Sequence, residues 1–157
     1  MTFMDRVHGG DGWEFVEFFV AGTPIPQPRP KTFRRGKTVS TVSNHGKVVE
    51  WKSLVQACAQ EAMTYLSMAP NEFELTLRFL MPRPKSHYRK SGELRDDAPK
   101  RHTKRPDFDN LCKSTCDALE GIVFYADEHC VDGRISKEYV AGIDDQPGCY
   151  ILVRRLD

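Results

Sequence analysis

Between Phe73 and Met81 the sequence FELTLRFLM places Phe73, Leu75, Leu77, Phe79 and Met81 at every second position. Strand side chains point alternately to opposite faces, so this segment reads as a strand with one apolar face to cover. WEFVEFFVAG (13–22), GRISKEYVAG (133–142) and CYILVRRL (149–156) are rich in aromatic and β-branched residues and read as further strands. TVSTVSNHG (38–46) supplies one short strand, and IVFYADEHCVD (122–132) a short strand and a turn. The cover comes from two helices. From Val48 onward, Trp51, Leu54, Val55, Cys58, Ala62, Tyr65 and Leu66 recur at steps of three and four, an amphipathic helical pattern. A second, shorter helix lies in DFDNLCKSTCDALEG (107–121), capped by Asp107 or Asp109 and stopped by Gly121. The resulting order predicts an α+β (mixed α/β) fold: one small mixed sheet with helices packed on one face.

A chain of 157 residues fits one domain. Residues 13–157 are assigned to it, and 1–12 to an N-terminal extension expected to be flexible. Mean hydropathy is −0.52, and no apolar run approaches the roughly 20 residues that a membrane helix needs. The start, MTFMDRVHGGDGWEF, lacks the apolar core of a signal peptide, so a cytoplasmic protein is expected. The five cysteines form no disulfide framework and read as reduced thiols. Cys112 and Cys116 stand four apart, with His129 and Cys130 downstream, which is not a zinc-binding spacing.

The net charge of +1 conceals a segregated pattern. From Gly22 to Val49 there are six cations (Arg29, Lys31, Arg34, Arg35, Lys37 and Lys47) and no acid. From Pro82 to Pro106 there are nine Lys and Arg against three acids. The first segment, with four prolines in TPIPQPRPKTFRRGKT, reads as an extended basic arm or loop. The second reads as a loop of some 25 residues, long enough to be functional or disordered. Basic segments of this kind suit a polyanion, and DNA contacts are expected from Arg29, Lys31, Arg34, Arg35, Lys85, Arg89, Lys90, Lys104 and Arg105. A solvated charged loop is the simpler alternative.

Between these cations and the second helix lies KRPDFDNLCKSTCDALEG. On a helix starting near Asp109, residues 109, 113 and 117 share one face. Asp107 precedes the helix at the same end, and the chain returns after Gly121 to Asp127 and Glu128. Carboxylates converging this way repel one another unless a cation sits among them, and hard oxygen ligands favour Mg2+ or Mn2+. The alternative is a capped helix start with surface ion pairs. The loop is not an EF-hand, since Leu111 and Cys112 fall where that motif needs a ligand and a glycine.

The sequence resembles the RusA-type crossover-junction endodeoxyribonucleases, Holliday-junction resolvases often carried by prophages. FFVAGTPIPQPRPK is similar to that family's opening strand and Pro/Arg-rich turn, and LRFLMPRPKSHYRK to its strand and basic loop. TKRPDFDNLCKSTCDALEGIVFYADEHCVDGRISKEY is similar to its core pattern PDxDN-x-x-K…DAL-x-G-x-x-x-x-D…K. About the first eleven residues fall outside the resemblance. It implies a homodimer that binds four-way junction DNA and cuts two opposing strands with Mg2+ or Mn2+, without a nucleotide cofactor. It places catalytic carboxylates and metal ligands at Asp107, Asp109 and Asp127, and an essential lysine at Lys113. Where the family often has Asp-Asp, this chain has Ala126-Asp127 followed by Glu128, which leaves Glu128 as the alternative third ligand. Asp117 is assigned a structural role, an ion pair with Lys113 or capping contacts, and Phe33 and Tyr88 are candidates to wedge or stack at the branch point, with ordinary loop anchoring as the alternative. A branched-DNA-binding protein that is inactive or differently selective is the alternative function.

Overall fold

The register of the central strands explains how one apolar face is built. In the computed structural model, β5 (Phe73–Met81) pairs antiparallel with β7 (Gly148–Arg155), which pairs antiparallel with β2 (Phe15–Ala21). Leu75, Val153 and Val16 fall in one row across the three strands; Leu77, Ile151 and Phe18 form the next, and Phe79, Cys149 and Val20 the third. All nine side chains are buried. β6 (Cys130–Tyr139) runs parallel to β5 on its other side, and β1 (Arg6–His8) pairs with β2 at the far edge. The sheet order is β1-β2-β7-β5-β6. The structure describes residues 6–8, 12–42, 46–142 and 144–157; of 6–8, 31–33 and 39–42 it describes the backbone alone.

Two helices cover that face, which is the expected α+β architecture. α1 (Gly46–Ala62) turns Val48, Trp51, Val55, Ala59 and Ala62 inward at steps of three and four. α2 (Phe108–Leu119) buries Leu111, Ser114, Thr115, Cys116, Ala118 and Leu119. The Trp51 indole donates to Thr115 Oγ1 at 3.3 Å, joining the helices inside the core. At the β5–β6 seam the Leu75 carbonyl comes so close to Gly133 that a Cβ there would collide with it. This glycine lets the parallel pair close beside its register shift at Phe73/Glu74.

Three local expectations change. α1 ends at Ala62, and Tyr65 sits in the left-handed region (φ 67°) with its side chain in solvent, while Leu54 is also exposed. The core stripe therefore omits both. The basic arm is not wholly irregular: β3 (Lys31–Arg35) and β4 (Thr38–Val42) form a hairpin around Gly36, whose positive φ suits the turn. IVFYADEHCVD contributes no strand of its own before Cys130. Its first residues turn back, with Ile122 and Val123 amides donating to the Leu119 carbonyl, and Asp127–His129 forms a 3-10 turn. Val123 and Phe124 are buried and Phe124 stacks on Phe73 at 4.4 Å, so apolar content here serves the core rather than a ladder. Of the N-terminal extension, β1 is paired to the sheet, while residues 1–5 and 9–11 lie outside the described residues.

Candidate active site

The segment from Pro82 to Pro106 is folded, and it shapes the approach to α2. Arg83 anchors it, donating from Nε to the Val140 carbonyl (2.6 Å) and from Nη1 to the Pro99 carbonyl (2.7 Å). A tight reversal around Gly92 is closed by the Arg89 amide on Glu93 and the Arg95 amide on His87. Residues 99–106 then run as a strap along β6, where the Tyr139 amide donates to Lys100 and the His102 amide to Lys137. The strap covers the end of the β6 edge near Lys137 and leaves residues 131–135 exposed.

The strap delivers the chain to α2 at Asp107. Asp107 occupies the N-cap position with extended backbone (φ −71°, ψ 144°), yet its carboxylate accepts no capping hydrogen bond. Asp109, in the first turn, is more than half exposed and lies 3.4 Å from Arg29. One turn on, Lys113 Nζ lies 3.0 Å from Asp117, the ion pair assigned to that aspartate, and Lys52 reaches Asp117 from α1 at 3.6 Å. Hydrogen bonding to Asp117, and then the charge of Asp127, raise the Lys113 pKa above its ordinary value. Asp127 opens the 3-10 turn after the reversal, exposed and without a capping role. It lines one pocket with Phe108, Cys112 and Cys116, so the return brings Asp127 alongside the first turns of α2.

The three carboxylates are not gathered into a closed cage. Among the described residues no group of three or more His, Cys, Asp or Glu stands close enough to hold a metal ion. Their chemistry nevertheless suits a hard cation: Asp107 and Asp109 at the start of α2 and Asp127 in the 3-10 turn are all exposed carboxylates. Mg2+ commonly takes one or two carboxylates and completes its shell with water and phosphate oxygens, which an open site permits. Cys112 and Cys116, with sulfurs 3.7 Å apart, face each other rather than a shared ligand position, and all five cysteines are free.

Lys137 closes the family-like pattern but is given no role by it. β6 places it opposite Phe79, in a row otherwise buried. Its ammonium donates to the carbonyls of Lys104 (2.6 Å) and Pro106 (2.7 Å), tying the strap to the sheet one residue before Asp107. Burial lowers its pKa, and the Asp107 charge opposes that shift. The signal was present in Ile135, Lys137 and Tyr139: a lysine interrupting the inward row of a strand has to find partners at the sheet end.

The family model for endodeoxyribonuclease RusA matches residues 21–154. The chain belongs to the RusA endodeoxyribonuclease family. The match begins later than the resemblance suggested and takes in both cationic segments, α2, Asp127 and Lys137. The chain is also 27% identical over 143 residues to "Uncharacterized protein YqaN" of Bacillus subtilis (strain 168), covering 90% of this chain and 96% of that one.

Within this RusA-family chain the expected DNA contacts fall into distinct settings. Arg34, Arg35, Lys85, Lys90, Lys104 and Arg105 are exposed. Arg29 bridges to Asp109, and Arg89 pairs with Asp96 at 2.8 Å, which reduces its charge toward a ligand. The side chains of Lys31 and Phe33 lie outside the described residues, and Tyr88 is half-buried in the reversal, bridged to Leu94. No helix among the described residues is long and apolar enough to cross a membrane.

Proposed function

We propose that this RusA-family chain is a structure-selective endodeoxyribonuclease that resolves four-way DNA junctions in recombination and repair, acting in the cytoplasm as a homodimer with Mg2+ or Mn2+. The observation that carries the reading is the start of α2, where Asp107 and Asp109 stand exposed between cationic segments while the neighbouring Asp117 is neutralised by two lysines. Asp107, Asp109 and Asp127 would hold the metal, with Glu128 as the alternative to Asp127. The bound cation would supply an activated water and charge stabilisation at the phosphoryl group. Lys113 contacts the scissile phosphate, its protonated state favoured by Asp117 and Asp127. Arg29 leaves Asp109 for a backbone phosphate as the strand enters, since a pair this exposed is held weakly. Arg34, Arg35, Lys85, Lys90, Lys104 and Arg105 bind the arms through phosphate, making affinity salt-dependent.

The exposed stretch 131–135 of β6 supports the homodimer. Val131 and Ile135 there, with Phe108 and Tyr125 nearby in chain order to α2, are exposed apolar side chains beside a strand edge that no described strand pairs. A second copy would cover them and bring a second site for the opposing strand. The deciding experiment is cleavage of a synthetic four-way junction, with and without Mg2+, by the wild type and Asp107→Asn. Cleavage that needs metal and the aspartate is expected; a variant that cuts at the wild-type rate would remove the metal-site assignment. Flap, duplex and single-stranded DNA in the same assay separate a junction resolvase from a nuclease of other selectivity.

A further inference from the structure

Beside Asp107, the prolines of the arm face Met81 and Pro82 across a groove of about 950 Å3. Its lining is mainly apolar, and Arg29, Arg105 and Asp107 belong to it. Two of its polar residues are unsatisfied: Gln27 Oε1 and His102 Nδ1 are buried and have no hydrogen-bond partner. Buried polar side-chain atoms without partners are uncommon in folded proteins, and each invites an explanation. Both residues are fixed on the frame. The Gln27 backbone N–H donates to the Asn110 carbonyl on α2 at 2.9 Å, and the His102 backbone N–H donates to the Lys137 carbonyl at 3.1 Å. The His102 ring, 8% exposed, packs 4.7 Å from the Tyr139 ring.

We propose that this groove receives an unstacked nucleobase flanking the scissile phosphate and reads it through Gln27 and His102. The inference rests on the nuclease reading and adds a specificity site to it. An apolar slot with a few fixed polar groups is the form that sites for extruded bases take, and unstacking is cheapest where the duplex is already interrupted. A branch point supplies that interruption, and Arg29 and Arg105 at the lining can hold the phosphates on either side of the base.

The two unpartnered atoms, both buried at rest, define the chemistry of the base once the Gln27 and His102 side chains turn toward the groove. Burial and the charge of Lys137 lower the His102 pKa, so its ring is neutral near pH 7 and Nδ1 accepts when the proton is on Nε2. The Gln27 amide, on a half-buried side chain, can turn its oxygen into the groove about a soft terminal torsion. Two acceptors favour a base with an exocyclic amine, adenine, cytosine or guanine, over thymine, whose edge offers two carbonyl oxygens and a single N–H.

The test uses junctions that differ only in the nucleotides flanking the scissile phosphates. The wild type is expected to cut adenine-, cytosine- or guanine-bearing junctions about tenfold faster than thymine-bearing ones. Gln27→Leu and His102→Leu should lose that discrimination. In chelator, 2-aminopurine stacked beside the same nucleotide should brighten on wild-type binding and much less with either variant. Equal wild-type rates on all junctions with no brightening would overturn the groove assignment and leave the nuclease reading intact. Discrimination that survives both substitutions would overturn it as well. A wild type that cuts no junction in Mg2+ would remove the nuclease reading and this inference together. The wild-type series needs no variant to fold.

Discussion

The two ends of α2 carry aspartates in opposite circumstances. Asp117, in the last turns, is half-buried and held by Lys113 and Lys52 at 3.0 and 3.6 Å. Asp107, at the start, is exposed and caps nothing, although a carboxylate there is favoured by the helix dipole. Residue type does not distinguish the two; partners do. A carboxylate already neutralised contributes to the fold, whereas one held in place without a partner is available to a cation or a substrate.

The comparison is sharpest in paired variants. Asp107→Asn is expected to lower junction cleavage by about two orders of magnitude or more, since a lost metal ligand forfeits several kcal/mol of transition-state stabilisation. Asp117→Asn should stay within severalfold of the wild type. Single-turnover cleavage at saturating protein measures both, with thermal unfolding to show that each variant folds. Equal losses would erase the distinction between the two ends.

Lys137 extends the contrast from the carboxylate to what holds it. Lys137→Met removes both donors on the Lys104 and Pro106 carbonyls, freeing the strap beside Asp107. Cleavage should fall about tenfold to a hundredfold, in the range seen when the supports of ligands are removed. The Mg2+ concentration for half-maximal rate should rise, while junction affinity measured in chelator changes little. A purely structural lysine would lower the melting temperature and leave the Mg2+ requirement where it was.

Much of this was readable in the sequence, and what was not shares a cause. The alternation of β5 and the 3.6-residue rhythm of α2 come from burial along one element, so residues 73–81 and 108–119 follow from local pattern. The placing of Asp107, Asp109, Lys113 and Asp117 along that helix follows in the same way, all within about three helical turns. Features that depend on elements distant in the chain were hidden. Lys137 meets Pro106 across 31 residues, and Gln27 meets Asn110 across the sheet end. The loop 82–106 reads only as functional or disordered because its order comes from Arg83 and from backbone groups on and just after β6, which have no periodicity. IVFY reads as a strand because burial of Val123 and Phe124 imitates one.

The two cationic segments can be separated by the same logic. Arg83→Ala leaves the Val140 and Pro99 carbonyls without their charged donor and should cost about 2 kcal/mol of stability by urea unfolding. Arg34→Ala, on the exposed hairpin, should change stability by less than about 0.5 kcal/mol. It should instead reduce the slope of log affinity against log salt by about one for junction DNA. Reversal of these two results would mean that the arm, not the loop, is the structural element.

The smallest effect concerns the neutralised end of α2. Lys113 has a folded-state pKa raised by Asp117, so its contribution is fully present below the unfolded pKa of about 10.4 and is lost as pH rises through the folded value. Lys113 is 60% exposed and lies N-terminal to its partner, the weaker orientation for an i,i+4 pair, so the contribution is about 0.2 kcal/mol. Urea unfolding of the wild type and Lys113→Gln should differ by that small amount from neutral pH to about pH 10, and the difference should shrink above it. Junction cleavage by the same variant should fall far more than its stability, because Lys113 is proposed to serve the phosphate first and Asp117 second. A stability loss above about 1 kcal/mol at neutral pH would instead mark the lysine as part of the helix frame.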